Sequence, residues 1–395
     1  MPTEWFAALP WAVPLFGIPR LASTKPNLND VAPVSGPTLS VIIPARNESA
    51  QIETVLASVL ASTYTPLEVL VVDDRSTDDT ASKVARLAAT DDRLRLVEGR
   101  PLPRGWYGKP WACQQGYEAA SGEVLVFIDA DTKHHPELMG RAVAMLQQSK
   151  ADLLTVAPKQ LVVTFWERVI MPQVWVMLGI RYHPSSVNKA RKPWGVIANG
   201  QFMMFPRASY VAVGGHAMVC AEVVEDLAMA QRVVALGKKL YFAIAYDLME
   251  TRMYQNLRQV VEGWSKNVFI GARISLGGNP ALRLLAPLLM AFNPVFWLVP
   301  PVALALALAG LAPALLTPAA IATGLSVFFW SLISFGMQVP LWYGLLYPLG
   351  AAMFLWILAR SAWRGTRHVE WRGRVYDEVT GLATEPARPS GPAPE

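Results

Sequence analysis

Residues 124–131 read Val-Leu-Val-Phe-Ile-Asp-Ala-Asp. Five apolar residues in a row, three of them β-branched, leave no solvent-facing side, so the run predicts a strand buried on both faces. Two carboxylates separated by one residue follow it at once. Working outward, Leu39–Ile43 and Leu67–Val72 are further buried strands and Leu94–Val97 is a third, while Ser49–Leu60 and Thr80–Ala89 carry apolar residues at helical spacing. Strand–helix alternation at this interval predicts an α/β fold with a mostly parallel sheet and helices on both faces. In such sheets ligands bind beyond the carboxyl ends of the strands.

Three polar clusters fall at those ends: Pro44-Ala45-Arg46-Asn47-Glu48, then Asp73-Asp74-Arg75-Ser76-Thr77-Asp78, then Asp129-Ala130-Asp131. A dinucleotide fold would place Gly-x-Gly-x-x-Gly at the first turn. Pro-Ala-Arg-Asn-Glu-Ser stands there instead, and no P-loop lysine motif occurs. Two carboxylates one residue apart can share a divalent cation, Mg2+ or Mn2+, that completes its shell with phosphate oxygens. Such an ion neutralises charge on a departing diphosphate. Asp73 and Asp78 are equally suited to turn and cap chemistry, because Ser-Thr-Asp-Asp-Thr is a helix start.

The 395 residues are 53% hydrophobic and 16% charged, and the shortage of charge is local. From Leu284 to Ala359, 76 residues contain no Asp, Glu, Lys, Arg or His. About 20 apolar residues cross a bilayer, so this run excludes a purely soluble, fibrous or disordered protein. It divides into segments near 284–309, 314–336 and 340–359. Arg273 and Arg283 precede it, and Arg360, Arg364, Arg367, Arg372 and Arg374 follow. Basic residues gather on the cytoplasmic side of membrane segments, so the net charge of +5 reads as membrane-proximal. No nucleic-acid motif accompanies it. Three crossings would put the two basic groups on opposite sides. Pro287, Pro294, Pro300 and Pro301 favour a first segment that is broken or interfacial, leaving two crossings. The expected organisation is an apolar interfacial or re-entrant anchor and linker (1–37), a catalytic domain (38–280), transmembrane helices (281–362), and a basic segment with a Pro-rich tail (363–395). Cys113 and Cys220 lack a CxxC partner and read as idle thiols.

The strand-end clusters resemble family 2 glycosyltransferases with the GT-A fold. The likeness continues through Gly105-Trp106-Tyr107-Gly108-Lys109-Pro110-Trp111-Ala112, Asn199-Gly200-Gln201-Phe202, Val213-Gly214-Gly215-His216, Glu225-Asp226, Arg252-Met253-Tyr254, Gly263-Trp264-Ser265-Lys266-Asn267 and Trp371-Arg372-Gly373-Arg374. This set is similar to a membrane branch containing carotenoid glycosyltransferases (hydroxychlorobactene and diaponeurosporenoate types) and hopene-associated glycosyltransferases. It extends from about Leu39 to Tyr376.

The resemblance implies a nucleotide-diphospho-sugar donor, usually a UDP-sugar, and a divalent metal. Pro44, Ala45, Arg46 and Glu48 would line the nucleotide pocket, with Asp74 facing the base or ribose. Lys109 would reach the nucleotide or its phosphates, Asp129 the sugar or ribose, and Asp131 the metal, which Asp129 would help to hold. Asp226 would be the base that takes the acceptor proton, with Glu225 as its neighbour. Inversion follows from single displacement. A carboxylate pair opening a helix also complements the helix dipole, so residue type alone leaves that role open. Trp264 and Lys266 would lie on the acceptor or phosphate side, with packing the alternative for Trp264. His216 would touch donor or acceptor, or be a satisfied loop histidine.

Gln259-Val-Val-Glu-Gly-Trp264 departs from the Gln-x-x-Arg-Trp pattern of processive polysaccharide synthases, which favours addition of one sugar. An anchored catalytic domain suits a lipid acceptor that stays in the bilayer, at the cytoplasmic membrane with the site facing the cytoplasm. The aromatic-rich stretch Val162 to Tyr182 is core, or a lipid guide at the interface. A polysaccharide-synthase subunit and a non-catalytic nucleotide-sugar-binding scaffold are the rival readings.

Overall fold

The predicted strands assemble into one seven-stranded sheet. The computed structural model describes residues 3–277 and 280–364, with strand segments at 368–371, 374–377 and 383–384. Arg367, the Arg372-Gly373 pair and the Pro-rich tail lie outside the described residues. The strands are β1 (Leu39–Ala45), β2 (Leu67–Asp73), β3 (Leu94–Glu98), β4 (Val124–Ile128), β5 (Leu153–Ala157), β6 (Phe202–Pro206) and β7 (Leu240–Ile244). Their order across the sheet is β3-β2-β1-β4-β6-β5-β7. β1 runs parallel to β2, with Ala45 opposite Asp73, and parallel to β4, with Ile42 opposite Phe127. β6 is inverted between β4 and β5, and β5–β7 is parallel again. The chain runs outward from β1 to β3, then returns to β4 on the other side of β1. That reversal opens a crevice at the carboxyl ends of β1 and β4, where a doubly wound sheet takes its ligand.

Alternation decides which residues form the core. Val41, Ile43, Val69, Val71, Val126 and Ile128 pack with Val55, Leu56 and Val59 of the helix Ile52–Leu60 and with Leu138, Ala142 and Leu146 of the helix Leu138–Ser149. Each Val, Leu or Ile among them contributes about 1.5–3 kcal/mol on full burial. The helix Gly108–Ala119 approaches the sheet at Gly116, where a Cβ would stand 2.3 Å from Ile42 Cγ2 and 3.1 Å from Val72 Cγ2. A side chain there would push the helix off the sheet.

The chain divides into two compact units, each assembled from separate stretches of sequence. The sheet unit comprises Leu28–Pro158 and Arg191–Glu250, while residues up to Asn27, Lys159–Ala190 and Thr251–Trp363 form a second, helical unit. Apolar helix faces find one another regardless of chain position. The helix Phe165–Arg181 buries Val169, Ile170, Met171 and Val174 in one core with Trp264, Val268 and Phe354. The aromatic-rich stretch, read as core or lipid guide, is core on this face, with Phe165 and Ile180 exposed. Glu167 is 1% exposed and accepts from Arg252 Nε at 3.2 Å while completing a capping box with Thr164.

Three helices of this unit, Arg283–Leu308, Pro313–Gly336 and Leu341–Arg364, are long and apolar enough to cross a membrane. Their positions match the segments read from the sequence. The first departs from expectation: Pro280–Leu308 is one continuous helix through four prolines. Each proline removes a single N–H donor, and the remaining ladder carries the helix past it.

Candidate active site

The ends of β1 and β2 are laced together by backbone. Asp74 N donates to the Ala45 carbonyl at 2.7 Å, and Arg46 Nη1 donates to the carbonyls of Asp74 (2.7 Å) and Arg75 (3.0 Å). Asn47 and Arg75 adopt left-handed backbone (φ 54° and 57°), which turns both loops sharply. Ala45 lies in the core and Arg46 is turned inward, 4% exposed. Pro44, Ala45 and Arg46 therefore shape this rim from behind instead of lining it with side chains. Glu48 is half-buried, its N–H donating to Thr80 Oγ1 at 2.9 Å. Asp78 accepts from Ser49 N and Thr80 N, so it performs the turn-and-cap chemistry. Asp73 Oδ2 accepts from Ser76 N at 3.1 Å, but Oδ1 is buried with no partner among the described residues. An acceptor so placed suits a ligand N–H or O–H. The sequence reading assigned that function to Asp74, which is fully buried.

Across the crevice the structure joins residues from four distant stretches. Lys109, in the first turn of the helix Gly108–Ala119, places Nζ 2.7 Å from Asp129 Oδ1 and 2.8 Å from Glu225 Oε1. Asp226, beside Glu225 at the start of the helix Glu225–Ala235, accepts from Gly200 N at 2.9 Å and from Leu227 N at 2.7 Å. Gly200 has no room for a side chain: a Cβ would stand 3.0 Å from Asp226 Oδ2 and 3.2 Å from Lys109 Nζ. Burial opposes the charge on Lys109, but Asp129, Glu225 and Asp226 outweigh it and hold the ammonium well above its ordinary range. Burial first, and Glu225 second, push Asp226 up to about 6, against the pull of Lys109 and two backbone N–H groups. A carboxyl tuned towards neutrality can take and release a proton at working pH.

Asp129 and Asp131 offer hard oxygen ligands at the end of β4. No group of three or more His, Cys, Asp or Glu residues converges among the described residues. That donor set fits a cation bound through one or two carboxylates and completed by phosphate oxygens and water. Behind the pair, Thr132 Oγ1 donates to the Asp129 carbonyl at 2.7 Å and lies 3.0 Å from His134 Nε2. The threonine proton is committed to Asp129, so His134 must donate from Nε2. Burial drives that imidazole down to about 3 and keeps it neutral. The sequence reading missed Thr132 and His134, since neither fits a metal spacing.

His216 is fully buried, its Nδ1 2.7 Å from the Tyr210 hydroxyl and its ring edge-on to Phe127. It supports the site from within and does not line it. Trp264 and Lys266 belong to the helical unit, where Trp264 Nε1 donates to Met171 Sδ at 3.3 Å and the ring packs edge-on with Trp175. Packing is the role this structure gives Trp264. Cys113 is buried and Cys220 half-buried, both unbridged.

A switch-point crevice with an Asp-x-Asp strand end and a second carboxylate pair is the arrangement of the GT-A fold. Residues 40–213 match the sequence profile of glycosyl transferase family 2. A 4,4'-diaponeurosporenoate glycosyltransferase of Staphylococcus aureus is 28% identical over 263 residues, 65% of this chain. The alignment spans 66% of that relative's length. Among solved structures, the mannosyltransferase PcManGT from Pyrobaculum calidifontis, in complex with GDP-Man and Mn2+, superposes with a TM-score of 0.52 at 21% identity. The match covers 91% of this chain and 98% of that one.

Proposed function

We propose that this chain transfers one sugar, glucose from a UDP donor, to a hydroxyl or carboxyl group of a membrane terpenoid of the carotenoid class, with inversion. The observation that carries the reading is Asp226: a half-buried carboxyl raised to about 6, adjoining a lysine that also grips the Asp-x-Asp strand end. Asp226 takes the proton of an acceptor hydroxyl as its oxygen attacks the anomeric carbon. The bond from that carbon to phosphate oxygen breaks, and the nucleoside diphosphate leaves with the electron pair. Glu225 and Lys109 keep Asp226 oriented and its charge balanced. A divalent cation at Asp131 and Asp129 would supply charge neutralisation for the leaving diphosphate. The rim residues Glu48 and Asp74, with the carboxylate of Asp73 beside them, would receive the nucleoside.

The three long apolar helices support an acceptor that remains in the bilayer, and Arg273 and Arg283, on the catalytic-domain side of the first of them, favour a site facing the cytoplasm. The choice of a carotenoid acceptor rests on the likeness to the diaponeurosporenoate glycosyltransferase. The test is lipid mass spectrometry on the native host lacking this gene, rescued by wild type or by Asp226→Asn. Loss of one hexose from one lipid class, restored by wild type alone, is the expected result. An unchanged lipid profile with the protein expressed would refute lipid glycosylation.

A further inference from the structure

From Trp5 to Pro19 the chain carries no polar side chain. Pro10, Pro14 and Pro19 divide the stretch into short helical turns at Thr3–Trp11, Val13–Gly17 and Ile18–Leu21. One side of these turns is protein core: Trp11, Leu15, Ile18 and Leu21 pack with Trp297, Phe329, Trp330 and Tyr347. The opposite side carries Phe6, Leu9, Val13 and Phe16, exposed by 51%, 46%, 64% and 85%. A segment that is apolar all round, with one face already buried, needs an apolar partner for the other.

Its depth is set by a proline. In the helix Pro280–Leu308 the carbonyl of Phe296 should accept from the residue four positions on, which is Pro300 and has no N–H. Trp11 supplies the missing donor: its Nε1 lies 3.1 Å from the Phe296 carbonyl oxygen, and its ring stacks on Phe296 at 5.2 Å. In hydrocarbon no water can satisfy such a carbonyl. Phe296 stands about 18–20 Å from either end of the apolar segment Arg283–Leu308, at 1.5 Å per residue. An in-plane amphipathic helix reaches only about 5–10 Å into the interface.

We propose that residues 6–18 form a re-entrant element embedded in the hydrocarbon layer of the bilayer, locked at mid-depth by the Trp11–Phe296 hydrogen bond that Pro300 makes necessary. Bilayer hydrocarbon is the partner of its outer face. The helix Pro280–Leu308, against which it packs through Trp11, also exposes Leu284, Leu288 and Phe292. Arg20, the first charged side chain after the apolar stretch, donates from Nη2 to Ser186 Oγ at 2.6 Å and marks its polar end. The inference does not depend on the sugar-transfer reading.

Spin labels on single cysteines at Leu9, Val13 and Phe16, in full-length protein bearing Cys220→Ser in phospholipid nanodiscs, test the location. Collision with oxygen should exceed collision with a water-soluble nickel chelate at all three. The reverse order would place the segment in water, and low collision with both would mean that protein covers it; either overturns the proposal. The lock is tested separately. Trp11→Phe keeps the ring but removes the N–H, and should lower the thermal midpoint in the nanodisc by several degrees. Adding Pro300→Ala, which returns an N–H to the Phe296 carbonyl, should restore it. A loss that Pro300→Ala does not rescue, or no loss at all, refutes the lock. Sugar transfer by the same preparations is read independently.

Discussion

Replacing Asp226 by Asn should abolish turnover and, at alkaline pH, make the protein more stable. The folded carboxyl titrates at about 6 against its ordinary value of 3.8. Folding therefore favours the protonated form. The favourable contribution is complete below pH 4 and is lost as pH rises through 6, where the ionised group costs about 2–3 kcal/mol at 1.36 kcal/mol per unit. Asparagine cannot ionise and avoids that cost. It has one carbonyl oxygen for two N–H donors, Gly200 and Leu227, and forfeits about 1 kcal/mol for the bond it cannot accept. The net is a gain of about 1–2 kcal/mol at pH 8, worth roughly 3–6 °C in thermal midpoint for a domain of this size. At pH 4 the sign reverses to a small loss. Thermal unfolding of both proteins in nanodiscs at pH 4, 6 and 8 reads the difference, beside a donor-turnover assay in which activity should fall about 10²–10⁴-fold. A midpoint difference that is the same at every pH would refute the placement of a strained carboxylate here. Lost stability with retained activity would remove Asp226 from the mechanism.

Four further outcomes follow from the same geometry. For wild type, kcat/KM should fall tenfold per unit below about pH 6 as Asp226 gains its proton; a flat profile between pH 5 and 8 would exclude it as the base. Lys109→Met should move that acid limb upward by about one unit, because Lys109 Nζ and Asp226 Oδ2 lie within about 6 Å and a charge pair there is worth up to ~3 kcal/mol before solvent screening. Gly200→Ala drives a methyl to 3.0 Å from Asp226 Oδ2 and 3.2 Å from Lys109 Nζ, and should cut kcat by about 10²-fold, as small misplacements do, with near-native circular dichroism. Thr132→Val, which breaks the bridge from His134 to the Asp129 carbonyl, should weaken Mn2+ binding by about 10–100-fold in paramagnetic resonance titration; unchanged affinity would detach that bridge from the Asp-x-Asp turn.

Strand character in β1 to β4 was legible because a strand buried on both faces must be locally apolar and β-branched, and each of those runs meets the requirement by itself. Their carboxyl ends were legible too, since strand polarity follows chain direction in a parallel sheet. β5, β6 and β7 were not read: five-residue apolar runs such as Leu153–Ala157 and Phe202–Pro206 carry no periodicity that separates them from buried helix. The inversion of β6 has no local signature. The first long apolar helix was expected to break at its prolines. At Pro300 the freed Phe296 carbonyl takes its donor from Trp11, almost 300 residues earlier in the chain.

Composition and local pattern determined the fold class, the Asp-x-Asp strand end and the three long apolar segments, because each depends on short-range residue chemistry or on hydrophobic length alone, whereas Glu225-Asp226 was picked out by family resemblance. Only the tertiary structure decided what those groups do to one another. Lys109, Asp129, Gly200 and Glu225-Asp226 are separated by up to 117 positions in the sequence, yet one ammonium bridges two carboxylates and a glycine N–H holds the third. The same packing turned Arg46 inward, buried His216 and moved Trp264 into a core. A side chain's charge and direction are set by its neighbours in space, and sheet topology chooses those neighbours.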